Sequence, residues 1–148
     1  MCRAEAYAIS GQYQKSVDDI NSLLSKFEVS YKALTLSEIK NYYNGINYYK
    51  PLVPTVKKEL NPTFNIDKTN AEPLLQCILH LRRILTIHDG LRMQDIKRYG
   101  IVIYRRQINT NGVVINVTDT LGVDDPRRAI QIPSDVINAG MQPNKRNK

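Results

Sequence analysis

The first 27 residues alternate apolar and polar positions in the way that two short amphipathic helices do. Residues 3–10 are rich in alanine, which favours helix, and Gly11 follows them, as glycine commonly does at a helix C-terminus. Four apolar residues after this glycine recur at spacings of three and four: Val17, Ile20, Leu24 and Phe27. Such a spacing places them on one helical face. The pattern therefore predicts a helical hairpin over residues 3–27.

A capping signal opens the next predicted helix. Thr35 and Glu38 have the spacing of a capping box, in which each side chain accepts a hydrogen bond from the backbone N–H of the other residue. Apolar residues continue this helix to about residue 46. Residues 47–68 contain three prolines, and they are predicted to be irregular because proline in a helix interior removes a hydrogen bond and clashes with the preceding turn.

A broad apolar stripe predicts a longer helix over residues 71–86, with Asn70 as its N-cap. The stripe consists of Leu74, Leu75, Ile78, Leu79, Leu81 and Leu85. A helix that is apolar over so much of its circumference is buried on more than one side. Because a chain of this size has few elements to cover it, we expect the isolated chain to be marginally stable or to self-associate.

The hydrophobic period changes after Gly100. Residues 101–109 and 113–118 are rich in β-branched residues and tyrosine, and Asn111-Gly112 lies between them. Asn-Gly between two such runs is the strongest short signal for a β-hairpin with a type I′ turn. A two-residue loop of this kind places Ile108 opposite Ile115.

These patterns predict a mainly α fold of the α+β class. We expect four or five helices, one β-hairpin at about 101–118 and proline-rich irregular connections. A length of 148 residues predicts a single domain over 1–148, and the polar tail at 142–148 is predicted to be disordered.

Composition excludes several classes of protein. A hydrophobic fraction of 42% is that of a globular chain, and no apolar run approaches the length that a membrane span needs. The N-terminus has no apolar segment of a secretory signal, so the chain taken alone is expected to stay in the cytoplasm. Cys2 and Cys77 form no metal or redox motif. The net charge of +7 comes mostly from cations interleaved with acids, which argues against a dedicated nucleic-acid arm.

Candidate catalytic groups are few. His80 and His88 are too far apart for a zinc pair on one helix, which needs a spacing of four. Asp89 and Asp95 could be paired carboxylates, but the cations around them favour ion pairing. The sequence contains no phosphate-binding or nucleophile motif. We therefore predict a protein that is not an enzyme and has no catalytic residues, no metal and no cofactor.

Nine tyrosines occur, and four of them cluster within eight residues. Exposed aromatic rings can stack on sugars, which makes Tyr42, Tyr48 and Tyr49 candidate ligand-binding residues. The competing interpretation is that Tyr43 packs inward at helical spacing and the other rings edge the core. Aromatic patches are also common at protein interfaces.

Residues 82–100 have the pattern R-R-x5-D-G-x-R-x-x-D-I-x-R-x-G, which resembles the C-terminal signature of the SusD/RagB family. Two further segments are similar to parts of the same family. The hairpin at 3–27 resembles half of a tetratricopeptide (TPR) unit, with Gly11, Tyr13 and Ser16 in the matching places. The run Asp124–Pro133 and the residues after it resemble the closing motif of the family.

The resemblance covers the last third of such a protein, so the chain is expected to be a C-terminal portion. It differs from the family at Leu85, where a glutamate is usual, and at Met93 and Tyr99, where Trp or Phe is usual. The signature residues are interpreted as scaffold: Gly90 permits a turn, and Arg92 with Asp95 is predicted to form an i, i+3 ion pair.

The resemblance implies a function. It implies a non-catalytic part of a cell-surface lipoprotein of the outer membrane, which binds a nutrient (a glycan or a peptide) and works with a SusC-like TonB-dependent transporter. One alternative is a cytoplasmic TPR-like adaptor that binds a protein partner. The other is a small basic nucleic-acid-binding protein; it lacks a supporting motif, and nucleic acid is not predicted as a partner.

Overall fold

Helices make up most of the regular structure, and one antiparallel hairpin follows them. The computed structural model describes residues 1–27 and 30–146. The helices, in chain order, are α1 (Cys2–Ile9), α2 (Tyr13–Leu24), α3 (Leu36–Gly45), α4 (Ala71–Leu85), α5 (Arg92–Arg98) and α6 (Ser134–Asn138). The strands are β1 (Ile103–Ile108) and β2 (Val114–Leu121), and a 3-10 turn follows at Pro126–Arg128. The predicted mainly α fold with one β-hairpin is confirmed, but the described residues form six α-helices instead of four or five.

The predicted helical hairpin at the N-terminus is confirmed, but α2 ends at Leu24, and Phe27, predicted to lie on its apolar face, is 68% exposed. Gly11 lies between α1 and α2 with a φ of +79°, which glycine adopts without strain. The contact between the two helices is made by small and β-branched side chains that are fully buried: Ala4, Ala8, Ser16, Val17 and Ile20. Small residues on α1 let the helix axes approach closely, so the hairpin is a tightly packed unit.

The predicted capping box at the start of α3 is also present. The backbone N–H of Glu38 donates to Thr35 Oγ1 at 3.2 Å, and the backbone N–H of Thr35 donates to Glu38 Oε2 at 2.7 Å. These two bonds satisfy donors that the first turn of a helix leaves free.

Helix α4 begins where the sequence predicts, but no side chain caps it, and Asp67 orders the turn before it. Asn70 occupies the N-cap position without a side-chain bond to the helix. Instead, Asp67 Oδ1 accepts from the backbone N–H groups of Thr69 (2.9 Å) and Asn70 (3.2 Å), and the carbonyl of Asp67 accepts from Ala71 at 2.9 Å. The pKa of Asp67 is lowered to about 2 by hydrogen bonds, first from the Asn70 side chain.

Helix α4 is the centre of the core. Residues 71–79 are all buried, and this part of the helix lies against α1, α2 and α3. Burial on more than one side is therefore confirmed for the first nine residues. The end of the helix differs, because Ile84 is 59% exposed and Ile87, just beyond the helix, is 71% exposed. Self-association through such a surface stays a prediction.

The proline-rich connection between α3 and α4 is held against the end of α5. The backbone N–H of Asn61 donates to the carbonyl of Tyr99 at 2.8 Å. Gly100, the next residue, has a φ of +56°, and a Cβ built on it would lie 2.8 Å from the carbonyl carbon of Asn61. Only glycine fits this crossing without displacing the connection.

The β-hairpin forms, but the prediction of its turn and register is wrong. Asn109 donates its N–H to the carbonyl of Val113 at 2.9 Å, so the loop has three residues instead of two. Gly112 has a positive φ, whereas Asn111 does not, which excludes a type I′ turn. Ile108 consequently pairs with Val114 and not with Ile115, and the two strands contain two register shifts.

A buried arginine joins the hairpin to the rest of the fold. Arg128 is 8% exposed and lies in the turn after β2. Its guanidinium donates to three segments, with bonds to the carbonyls of Gly122 (2.5 Å), Ile101 (2.6 Å) and Ile96 (3.3 Å). The carbonyls of Ile96 and Gly122 also accept backbone N–H groups of their own turns, from Ile101 at 3.0 Å and Asp125 at 3.4 Å, so the guanidinium adds bonds between turns that are already closed.

The C-terminal tail is partly held in place. Asn144 donates its backbone N–H to Gln131 Oε1 at 3.0 Å and its side-chain amide to the carbonyl of Ile130 at 2.7 Å. The predicted disorder of 142–148 also covers residues 147 and 148, which lie outside the described residues.

Candidate functional site

The three candidate tyrosines do not share one surface. Tyr42 is 56% exposed on α3 and packs edge-on against Tyr43, with ring centroids 5.0 Å apart. Helix α3 ends at Gly45, and the chain then turns towards the start of α4 and the hairpin. Tyr48 and Tyr49 follow that turn. Tyr42 is therefore close to the other two tyrosines in the sequence but lies on a different part of the fold.

Tyr48 and Tyr49 are engaged with other elements of the fold. The hydroxyl of Tyr48 donates to Glu72 Oε1 at 2.6 Å, and burial together with this bond raises the pKa of Tyr48 to about 12. The ring of Tyr49 stacks on Tyr104 of β1 at 5.9 Å, and Lys58 Nζ lies 3.3 Å from its centroid. Both rings thus fasten the connection between α3 and α4.

Tyr42 lines an apolar groove between α2, α3 and α4. The groove has a volume of about 490 Å³. Its lining consists of Leu24, Leu34, Glu38, Ile39, Tyr42, Tyr43, Cys77, His80 and Leu81. An apolar depression of this size with a few polar groups is the usual form of a small-ligand or peptide site.

The polar groups at the base of this groove are uncharged at neutral pH. Tyr43 Oη lies 3.1 Å from His80 Nδ1. Burial and the neighbouring Arg83 lower the pKa of His80, and burial raises the pKa of Tyr43. Burial also raises the pKa of the Cys77 thiol to about 11, so the thiolate does not form under ordinary conditions. The groove can bind an apolar or aromatic group, but it offers no activated nucleophile.

The signature residues form a buried charged network with the first helix. Arg82 donates to Glu5 Oε2 at 2.6 Å and to Asp95 Oδ1 at 2.5 Å. Arg98 Nε lies 3.2 Å from Glu5 Oε1, and the Tyr99 hydroxyl donates to the same carboxylate. The side chains of Arg82, Glu5 and Asp95 are 12%, 8% and 6% exposed. We refer to these five residues as the Glu5 network.

The geometry of the Glu5 network keeps the Glu5 carboxylate ionised. Burial alone would raise the pKa of Glu5, but the hydrogen bond from Tyr99 and the bond and charge of Arg82 hold that pKa below its ordinary value. The predicted Arg92–Asp95 pair is wrong, because Asp95 points across to Arg82 on α4. Among residues 1–27 and 30–146, Arg92 forms no ion pair with a carboxylate.

Candidate catalytic pairs are separated in the structure. Asp95 belongs to the Glu5 network, whereas Asp89 is exposed in the turn between α4 and α5. His80 lines the groove and His88 is exposed. Within the described part of the chain, no three His, Cys, Asp or Glu side chains lie close enough to hold a metal ion.

The four arginines of the signature at residues 82–100 divide into two groups. Arg82 and Arg98 neutralise Glu5, as described above. Arg83 and Arg92 instead line a separate depression, together with Lys58. The sequence pattern did not single out Lys58, because it lies in the irregular proline-rich connection, where no periodicity assigns it to a surface.

Comparison with known proteins adds no relative. No helix in residues 1–27 and 30–146 has both the length and the hydropathy of a membrane span. No protein-family model matches the chain, and no curated protein or solved structure shows significant similarity to it.

Proposed function

We propose that this chain is the C-terminal scaffold of a SusD/RagB-like nutrient-binding lipoprotein of the outer membrane. In this role it is non-catalytic and works with a SusC-like TonB-dependent transporter. The ligand is a glycan or a peptide, which the complete lipoprotein binds and passes to the transporter.

The observation that carries this proposal is the Glu5 network. The resemblance rests on separate segments, and two of them meet here: Glu5 comes from the N-terminal helical hairpin, and Arg82, Asp95 and Tyr99 come from the signature. Charged residues of a signature that face one another inside the fold have a structural role. This accounts for the pattern without a catalytic site.

The third segment of the resemblance is connected in a similar way. Arg128, from the run that resembles the closing motif, donates to the carbonyl of Ile96 within α5 and to that of Ile101 just after it. The helical hairpin of α1 and α2, the signature and the closing run are therefore joined by buried cationic side chains. Such an arrangement suits a scaffold whose segments act together.

Tyr42 is the candidate tyrosine most accessible to a ligand. Of the three candidate tyrosines, Tyr42 leaves the largest part of its side chain exposed and lies beside the apolar groove. An exposed ring can stack on the apolar face of a sugar or on a peptide side chain. Tyr42 is therefore the residue of this chain that we assign to ligand contact.

The test is to purify the complete natural reading frame, with an affinity tag, from membranes of its own cells. We expect it to fractionate with the outer membrane and to bring down a TonB-dependent transporter, identified by mass spectrometry. A reading frame with no upstream exported portion, together with a tagged protein that is absent from the membrane fraction, would refute the proposal. Binding of soluble polysaccharides in affinity gels, compared between wild type and Tyr42→Ala, tests the ligand contact separately.

A second candidate is a cytoplasmic adaptor that binds a protein partner. The apolar groove between α2, α3 and α4 favours it, because an amphipathic helix of a partner could place its apolar face there. The same fractionation distinguishes the two functions: an adaptor is recovered from the soluble fraction, and Leu81→Arg at the groove removes its partner.

A further inference from the structure

Three cationic side chains from different elements meet in one small depression. Lys58 comes from the connection between α3 and α4, Arg83 from α4 and Arg92 from α5. Arg106 of β1 lies near enough to act on the charge of Lys58. Residues that are distant in sequence thus place several positive charges together, although like charges repel.

The cluster has no anionic partner among the residues that the structure describes. In the described ranges 1–27 and 30–146, none of the side chains of Lys58, Arg83 and Arg92 forms an ion pair with a carboxylate. Asp95 is the acid that acts on Arg92, and it is already bonded to Arg82 at 2.5 Å. The positive charge of the depression is therefore not compensated by a dedicated carboxylate.

Lys58 is held in place by buried neighbours. The side chain of Gln76, which is 3% exposed, donates to the carbonyl of Lys58 at 2.5 Å and accepts from its N–H at 3.1 Å. The ammonium donates to the carbonyl of Thr55 at 3.0 Å and lies over the ring of Tyr49. The charge is thus positioned before any ligand arrives, which reduces the entropy cost of binding.

Charging this lysine is less favourable in the free protein than charging an ordinary lysine. Burial, and after it the charges of Arg83, Arg92 and Arg106, lower the pKa of Lys58 to about 8. A bound anion would relieve this repulsion and favour the charged ammonium.

The shape of the depression limits what can enter it. Its cavity volume is about 10 Å³, which is space for about one water molecule. One oxygen of a small oxyanion can enter, with the rest of the anion at the mouth, whereas an aromatic base cannot. A dianion matches three cations better than a single carboxylate does, and arginine and lysine together are a common phosphate-binding set.

The geometry points to a binding site for a phosphate group at Lys58, Arg83 and Arg92, taken either as inorganic phosphate or as a phosphomonoester of a small molecule. This inference does not depend on the proposed function, since none of Lys58, Arg83 and Arg92 belongs to the Glu5 network or lines the apolar groove.

Isothermal titration calorimetry of the whole chain, in a buffer of low ionic strength, tests the site with inorganic phosphate and with glucose 6-phosphate. We expect binding of at least one of them, and the stronger of the two identifies the source of the phosphate group. Arg83→Gln is the main variant because Arg83 is exposed and its loss leaves the core intact. It should weaken binding by about tenfold or more, the loss of one charge-assisted bond.

The matched control is Arg105→Gln, which removes the same charge from an exposed residue of β1 that does not line the depression. It should leave binding unchanged. A second readout is the pKa of Lys58 measured by NMR, which should rise when phosphate is added, because the anion favours the charged ammonium. The titratable and charged groups around Lys58 are His80, Arg83, Arg92 and Arg106, and the ring of Tyr49 lies beside its ammonium.

Three outcomes would overturn the proposal. The first is the absence of binding at millimolar concentrations of both probes. The second is an equal loss of binding in Arg83→Gln and Arg105→Gln, which would show that only net charge matters. The third is much tighter binding of a single-stranded oligonucleotide with a steep salt dependence, which would identify the cluster as part of a nucleic-acid surface.

Discussion

Replacing Arg82 by methionine is the sharpest test of the Glu5 network. Arg82 bridges two carboxylates, and all three side chains are at most 12% exposed. Methionine keeps most of the apolar volume but leaves Glu5 and Asp95 buried without their shared cation. Removal of one partner of a buried ion pair typically costs about 3–5 kcal/mol. A domain is stable by only about 5–15 kcal/mol, so this single change should remove a large part of the stability.

Arg98→Met is the matched control, because Arg98 contacts the same carboxylate of Glu5 from the surface. Its side chain is 56% exposed, and an exposed pair contributes at most about 1 kcal/mol. Urea unfolding followed by far-UV circular dichroism gives both free energies of unfolding. Equal losses in the two variants, or a loss below about 1 kcal/mol for Arg82→Met, would refute the reasoning that burial sets the cost.

The contribution of Glu5 to stability should also change with pH in opposite directions in the wild type and in Arg82→Met. In the wild type the pKa of Glu5 is lowered, so its contribution to stability is present above the pKa of an unfolded glutamate and is lost as the pH falls through the folded value. In Arg82→Met burial dominates and raises that pKa. The stability deficit of the variant should therefore shrink as the pH is lowered. A deficit that stays constant between neutral and acidic pH would show that Glu5 is not the group responsible.

Three further substitutions or measurements test other parts of the fold. Gly100→Ala should cost at least about 2 kcal/mol in thermal unfolding, because the residue has a positive φ and its Cβ would meet the backbone of Asn61. Ser16→Ala should raise the free energy of unfolding by about 1 kcal/mol, since the fully buried Ser16 hydroxyl has no hydrogen-bond partner in the described structure. A lower free energy of unfolding in this variant would contradict the prediction, because it would mean that the hydroxyl forms a stabilising hydrogen bond. A disulfide-exchange reagent should modify the exposed Cys2 quickly and Cys77 only on unfolding, because Cys77 is buried with its pKa raised to about 11.

Elements with strong local signals could be predicted from the sequence, and longer-range choices could not. The capping box at Thr35 is local and is present as predicted. The Asn-Gly rule failed because Asn109 competes with it: its side-chain oxygen accepts from the N–H groups of Asn111 (3.0 Å) and Val113 (2.8 Å). This side chain closes a longer loop and changes the register of the strands.

The sites are even harder to predict from the sequence, because the residues that form them are far apart in the chain. Arg82 and Glu5 are 77 residues apart, and no spacing rule connects them. The i, i+3 rule instead favoured Arg92 for Asp95, because it considers one helix in isolation. The tyrosines show the reverse error: four rings close in sequence point to different elements once α3 ends. A helical or strand period assigns residues to faces, but only the packing of elements decides which faces meet.

The long separation within the Glu5 network has a consequence for synthesis on the ribosome. Glu5 lies 94 residues before Tyr99, and at about 5–20 residues per second the interval between them is roughly 5–20 s. During that time the first hairpin can form helices, but it cannot bury Glu5 without leaving a charge unpaired. The nascent hairpin therefore keeps Glu5, and the side chains that α4 later covers, open to solvent, chaperones and proteases until α4 and α5 emerge and supply Arg82 and Tyr99.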